Sequence, residues 1–477
     1  MNPKLTDFNF ILRALNIVFT LLGTFTFFYL GKGRFTDISM VAVAWTACLT
    51  VEIILRLEKE NRRPLIAILC FYFLTFFSLR FATLALFNDS VILQRGSLSI
   101  SDIRNGFVFC LASLVSMSTG IFYFNRPPNA SIPAQEPNLS QKPLAGFTAV
   151  LMGILLIGSL KFLGFSSPVF TRLSGYFFSI FNPVYFFIFG LIYAVIFHRS
   201  FKRKWRVLAW GVLALYPIYF LFLEIRSTPL IIFISMLFAL LAKYQTIEFP
   251  KKFFVGLVLA SPFVVFLVDL SFQIRIYHPP VHKIFSIYRL PQLDELEERF
   301  SPIAGRLAGI DMVSEIIAHA EDYRTIVNPA YLLRSFIDNT SPGIDPDLKL
   351  IKASNAMNAI YRGWPPLRRE DIDQAYQSDL FTAFGEFYLL MYGGWAVLFL
   401  GLASAGFQYF YSRAQDRNDP LFRAFILFVF YYFFLNSYGI DWAAIDLFRF
   451  LIAFLICHRL LGYQIRLDPN ARGQPTV

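Results

Sequence analysis

Long apolar stretches alternate with shorter polar ones along nearly the whole chain. Apolar runs cover 12–31, 37–56, 64–87, 104–124, 144–164, 174–197, 205–223, 227–243, 252–272, 381–411, 420–437 and 442–463. Many reach about 20 residues, the length an α-helix needs to cross a hydrocarbon core of about 30 Å. The pattern predicts an all-α polytopic membrane protein with about twelve transmembrane helices. The first run is not followed by a small-residue cleavage pattern and reads as a retained span rather than a signal peptide.

The alternation stops between the ninth and tenth runs. Residues 273–380 form a polar connection too long to be structureless, and connections of that length are usually functional. QLDELEERF, RFSPIAGRLAGIDMVSEIIAH (299–319) and NPAYLLRSFID (328–338) predict helices within it, while TSPGIDPD and RGWPP predict turns. Amphipathic pieces between two spans suggest a partly helical cap at a membrane surface. The chain thus divides into spans one to nine (1–272), a cap (273–380), spans ten to twelve (381–463) and a polar tail (464–477). NRPPNASIPAQEPNLSQKP (125–143) reads as a linker.

At 100° per residue, Asp311, Glu315 and His319 fall on one face of the 299–319 helix, which Asp322 extends. That face reads as a solvated stripe. Arg306 instead shares the apolar side with Ile303, Ile310, Val313 and Ile317. A cation there needs an anionic partner.

Charge then orients the chain. RLEKENRR (56–63), HRSFKRKWR (198–206), Lys243, Lys251, Lys252 and SRAQDRNDPLFR (412–423) all fall on one side of the predicted spans. Lys and Arg collect in cytoplasmic connections, which places both termini inside and the long connection outside. The net charge of +11 is therefore that of a membrane topology, not of a nucleic-acid surface. Composition agrees: the chain is 56% hydrophobic and 16% charged, against about 25% charged in soluble domains. The four cysteines lie inside apolar runs and read as small buried hydrophobes.

Three stretches carry a family likeness: EIRSTPLIIFISML (224–237), GRLAGIDMVSEII (305–317) and TAFGEFYLLMYGGWAVLFLGL (382–402). With the large outer connection ahead of the last spans, the chain resembles the Wzy-type O-antigen and oligosaccharide repeat-unit polymerases. The resemblance implies a metal-independent membrane glycosyltransferase of the GT-C type, without a cofactor, in the bacterial inner (cytoplasmic) membrane. Its implied donor and acceptor are undecaprenyl-pyrophosphate-linked oligosaccharides. A chain-length regulator and a flippase are the implied protein partners. An outer-loop Arg-x10-Gly motif of the family is matched by Arg95 and Gly106, a spacing that chance also produces. Two other functions fit the layout: a glycan ligase using the same donor, and a lipid-linked oligosaccharide flippase or transporter.

Such a transfer needs cations for the leaving pyrophosphate and a base for the acceptor hydroxyl. Arginine suits the first role through its fixed charge and paired donors. Arg226, at the mouth of two apolar runs beside Glu224, is either a substrate ligand or a snorkelling residue. Arg275 and Arg289, in SFQIRIYHPPVHKIFSIYRL, and Arg306 complete the pyrophosphate candidates. Glu386 is a candidate base, or else a carboxylate favoured by a helix N-terminus. Asp311 and His278 are further catalytic candidates. His278 and His282 flank a Pro pair that opposes a helical metal site, so no metal is expected. The acidic pairs Asp345/Asp347 and Asp371/Asp373 read as solvated loop residues. Gly393, Gly394 and Gly401 read as helix-packing positions. Asp441, Asp446 and Arg449 read as an ion-pair cluster.

Overall fold

A computed structural model describes residues 5–30, 38–58, 63–86, 98–124, 187–197, 202–222, 227–244, 248–250, 309–340, 383–416, 419–435 and 439–460, with a few isolated positions between them. Among these residues the protein is helical, apart from two three-residue strands. Strands β1 (Leu5–Asp7) and β2 (Glu248–Pro250) pair antiparallel, Leu5 opposite Pro250. They join two segments expected on the same side of the membrane.

The helices follow the apolar runs where those runs are described. They are α1 (Phe8–Leu30), α2 (Ile38–Glu58), α3 (Pro64–Leu86), α4 (Ile100–Tyr123), α5 (Phe187–Phe197), α6 (Arg203–Phe222) and α7 (Ser227–Tyr244). The long connection contributes α8 (Gly309–Ala318), α9 (Ala320–Arg324) and α10 (Pro329–Thr340). After it come α11 (Ala383–Leu390), α12 (Trp395–Asp416), α13 (Pro420–Leu435) and α14 (Ile440–Leu460). Three of them contain wider, π-type turns, at Leu74–Leu79 in α3, Phe187–Ile192 in α5 and Tyr431–Leu435 in α13.

Among the described residues, four helical stretches are long and apolar enough to cross a membrane: Phe8–Tyr29, Ile38–Glu58, Pro64–Thr83 and Ser101–Tyr123. They make this a helical membrane protein. A bent pair, α11 with α12, meets the same test as one unit. The apolar runs at 144–164 and 252–272 fall almost wholly outside the described residues.

Burial sorts these helices. α3 is enclosed along most of its length, and Leu65, Ile66, Leu69 and Cys70 are fully buried. α1 turns Phe10, Val18, Leu21, Phe25 and Phe28 outward, a face suited to lipid. α4 and α12 pack closely through small residues. Ser116 Oγ donates to the Val397 carbonyl at 2.7 Å, and a Cβ at Gly120 would press on the Gly401 backbone. Such stripes let helix backbones approach where lipid gives no hydrophobic drive for association. Gly401 therefore has the packing role expected of it. All four cysteines are buried and free.

One predicted span is not a single helix. The run 381–411 breaks between α11 and α12, whose axes meet at 118°. Tyr392 (φ 53°) and Gly393 (φ 82°) make the turn, a backbone region glycine enters without cost. Gly394 has open space beside it. These two glycines shape a turn rather than a helix contact.

Candidate functional site

The connection's first described helix is docked into the bundle. α8 lies against α3, α4 and α11. At Gly106 of α4 a Cβ would overlap Ser314, and at Gly385 of α11 one would overlap Ile316. Both glycines are there to admit α8. Ser314 Oγ also donates to the Ile103 carbonyl at 3.4 Å.

This docking overturns the expected solvated stripe. Asp311 is 2% exposed and Glu315 5%. Exposure returns only toward the end of the stripe, where the His319 side chain is 38% exposed and Asp322 is exposed. Asp311 meets Arg80 of α3, which is wholly buried. The guanidinium donates to Asp311 Oδ2 through Nε at 3.1 Å and through a terminal nitrogen at 2.5 Å. Glu315 accepts from the Tyr323 hydroxyl at 3.3 Å and lies 3.8 Å from the His319 ring. The acidic face packs inward because its partner comes from a span 231 positions earlier in the chain. Val313 is buried as expected. Arg306 and Ile303 lie outside the described residues, as does the Ile310 side chain.

Arg80 was within reach of sequence reasoning. It is the one charged residue in the apolar run 64–87, and an intramembrane ionisable residue is a functional candidate by default.

Glu386 sits on α11, one residue past the glycine that admits Ile316. It is fully buried. Its Oε2 accepts from the Ile440 amide, the first of α14, at 2.5 Å. Glu386 thus caps the N-terminus of a helix other than its own, satisfying an orphan amide and facing the positive end of the dipole. Its Oε1 is buried and has no hydrogen-bond partner among the described residues. A Cβ at Gly439 would collide with that oxygen and lie 3.3 Å from Asp441 Oδ1. The two carboxylates therefore flank one glycine. Phe384 stacks on Tyr72 of α3 at 5.7 Å, and Phe387 on Phe434 of α13 at 5.7 Å. These contacts fix the short helix that carries Glu386.

Asp441 does not join the expected ion-pair cluster. Its Oδ2 accepts from Ser335 Oγ of α10 at 2.9 Å and from the Ala353 amide at 2.7 Å. It ties two points of the long connection to the start of α14. Burial, together with the Asp441 charge nearby, pushes the Tyr331 phenol up to about 12, so it stays protonated at neutral pH. Asp446 does pair with Arg449, at 3.3 Å, and also accepts from the Tyr432 hydroxyl.

Of the predicted site residues, Asp311 and Glu386 come to neighbouring elements around α8 and α11. His278, Arg226, Arg275, Arg289 and Arg306 lie outside the described residues, as do both acidic pairs and Arg95. Among the described residues no three His, Cys, Asp or Glu side chains group to hold a metal ion.

No family model, curated protein or solved structure matches the chain.

Proposed function

We propose that this chain is a bacterial inner-membrane glycan polymerase. It joins undecaprenyl-pyrophosphate-linked repeat units at the outer face, as a metal-independent glycosyltransferase of the GT-C type with about twelve spans. The observation that carries this reading is the buried Glu386 carboxylate. It stands where the long connection docks onto the bundle, with one oxygen held by α14 and the other without a hydrogen-bond partner among the described residues. A fixed carboxylate with a spare acceptor oxygen is suited to take the proton of an attacking sugar hydroxyl.

In this reading Glu386 is the base and His278 the alternative base. Arg306, Arg226, Arg275 and Arg289 hold the leaving pyrophosphate. Asp311 is committed to Arg80 and acts as a positioning residue that seats α8. The substrate reaches Glu386 only when the docked segment shifts, because the carboxylate is closed off from solvent. Chain-length regulator and flippase partners belong to the same proposal.

Deleting the gene in its host and resolving the surface glycan on a gel tests this. A polymerase leaves chains stopped at one repeat unit. Complete loss of surface glycan indicates a ligase or a flippase instead, and an unchanged ladder removes the envelope-glycan reading.

A further inference from the structure

α10 is apolar outward as well as inward, where Tyr331 and Leu332 pack against the core. Its inward face carries Ser335, bonded to Asp441 at the start of α14. Its outward face carries Leu333, 60% exposed, and Ile337, 47% exposed, one turn apart. A helix resting on a protein surface in water turns polar residues outward instead.

Two contacts give its depth. Ser335 meets Asp441, and the next residue, Phe336, meets Phe448 edge to face at 6.1 Å. Phe448 lies seven residues further along α14, about 10 Å down its axis. α10 therefore descends beside the first two turns of α14 instead of sitting above its end. Phe448 opens an exposed apolar stripe on α14 that continues through Leu451 and Leu455. At 100° per residue these three share one face; on α10, Phe336, which meets Phe448, falls next to Leu333 on the wheel, so the outward face adjoins that stripe. The charged side chain on the outward face, Arg334, has Asp338 3.8 Å away and a stem long enough to carry its charge toward headgroups.

We propose that α10 is immersed in the outer leaflet, with Leu333 and Ile337 in contact with the acyl chains of bulk lipid. This goes beyond a cap resting on the headgroups, and it is independent of the polymerase reading. The occupant is lipid because the patch continues the stripe of a neighbouring helix long enough to cross the bilayer.

Nitroxide labels at Leu333→Cys and Ile337→Cys, in the full chain reconstituted in phosphatidylcholine vesicles, test this by power saturation. Leu451→Cys serves as the lipid reference. Glu321→Cys, at a side chain 87% exposed, serves as the water reference. All four native cysteines are buried, and each substituted side chain is exposed, so the fold should persist; elution as a single symmetrical peak verifies it. The expected result is a ratio of oxygen to nickel-chelate accessibility at Leu333→Cys and Ile337→Cys severalfold above that at Glu321→Cys and close to that at Leu451→Cys. Nickel accessibility matching Glu321→Cys would overturn the proposal. Low accessibility to both reagents would also overturn it, because protein, a second copy included, would then cover the face.

Discussion

Arg80 and Asp311 form a wholly buried ion pair that fastens a helix of the long connection to the most enclosed span. Arg80 donates twice to one carboxylate oxygen. Removing one partner of such a pair strands the other and costs about 3–5 kcal/mol, whereas replacing both by well-packed apolar groups is often neutral. Asp311→Ala is therefore expected to lower the thermal midpoint of detergent-solubilised protein markedly. The double variant Arg80→Met with Asp311→Leu should recover part of that loss.

Glu315 makes a related case. As a member of a solvated stripe it would tolerate truncation. Only 5% exposed and bonded to Tyr323, it should not. Glu315→Ala leaves the Tyr323 hydroxyl without this acceptor, at a cost of about 1–3 kcal/mol. Thermal melts read this directly, with His319→Ala as a milder comparison.

Glu386 has two separable tasks. Glu386→Gln keeps an acceptor for the Ile440 amide but cannot take up a proton from an attacking hydroxyl. Normal folding with loss of glycan polymerisation is expected. Glu386→Ala should also lower stability, by about 0.5–2 kcal/mol for a lost helix cap. A fully active Glu386→Gln would reduce the residue to capping alone.

Asp441 holds Ser335 and the Ala353 amide, so Asp441→Ala should release the connection around residues 335–353. Limited proteolysis of reconstituted protein checks this. Faster cleavage between α10 and α11 is expected, with the cleavage rate in Asp441→Asn nearer to wild type.

Much of the fold was legible in the pattern of apolar runs. Hydrophobic length alone places α1 to α4, because crossing a bilayer demands it whatever the packing, and the apolar runs also mark where α7, α13 and α14 form. The break between α11 and α12 was harder to read. Tyr392, Gly393 and Gly394 lie inside an unbroken apolar run, where hydrophobicity gives no sign that the backbone turns. Gly-Gly was the available signal. Site residues were legible in chemical type more than in role. Glu386 was marked as a carboxylate at a helix start, yet the amide it caps belongs to a helix 54 residues away. Asp311 and Glu315 looked solvated because a helical wheel assumes charge faces water. That assumption fails when a cation such as Arg80 waits inside the bundle.

Reconstitution with a defined substrate tests the polymerase reading most directly. The purified chain in lipid nanodiscs would receive polyprenyl-diphosphate-linked repeat units from its host, and the products would be separated by size. A ladder of multiple repeat units, absent with Glu386→Gln, is the predicted result. Single units that stay unjoined, under conditions where the protein is folded and saturated with substrate, would contradict it.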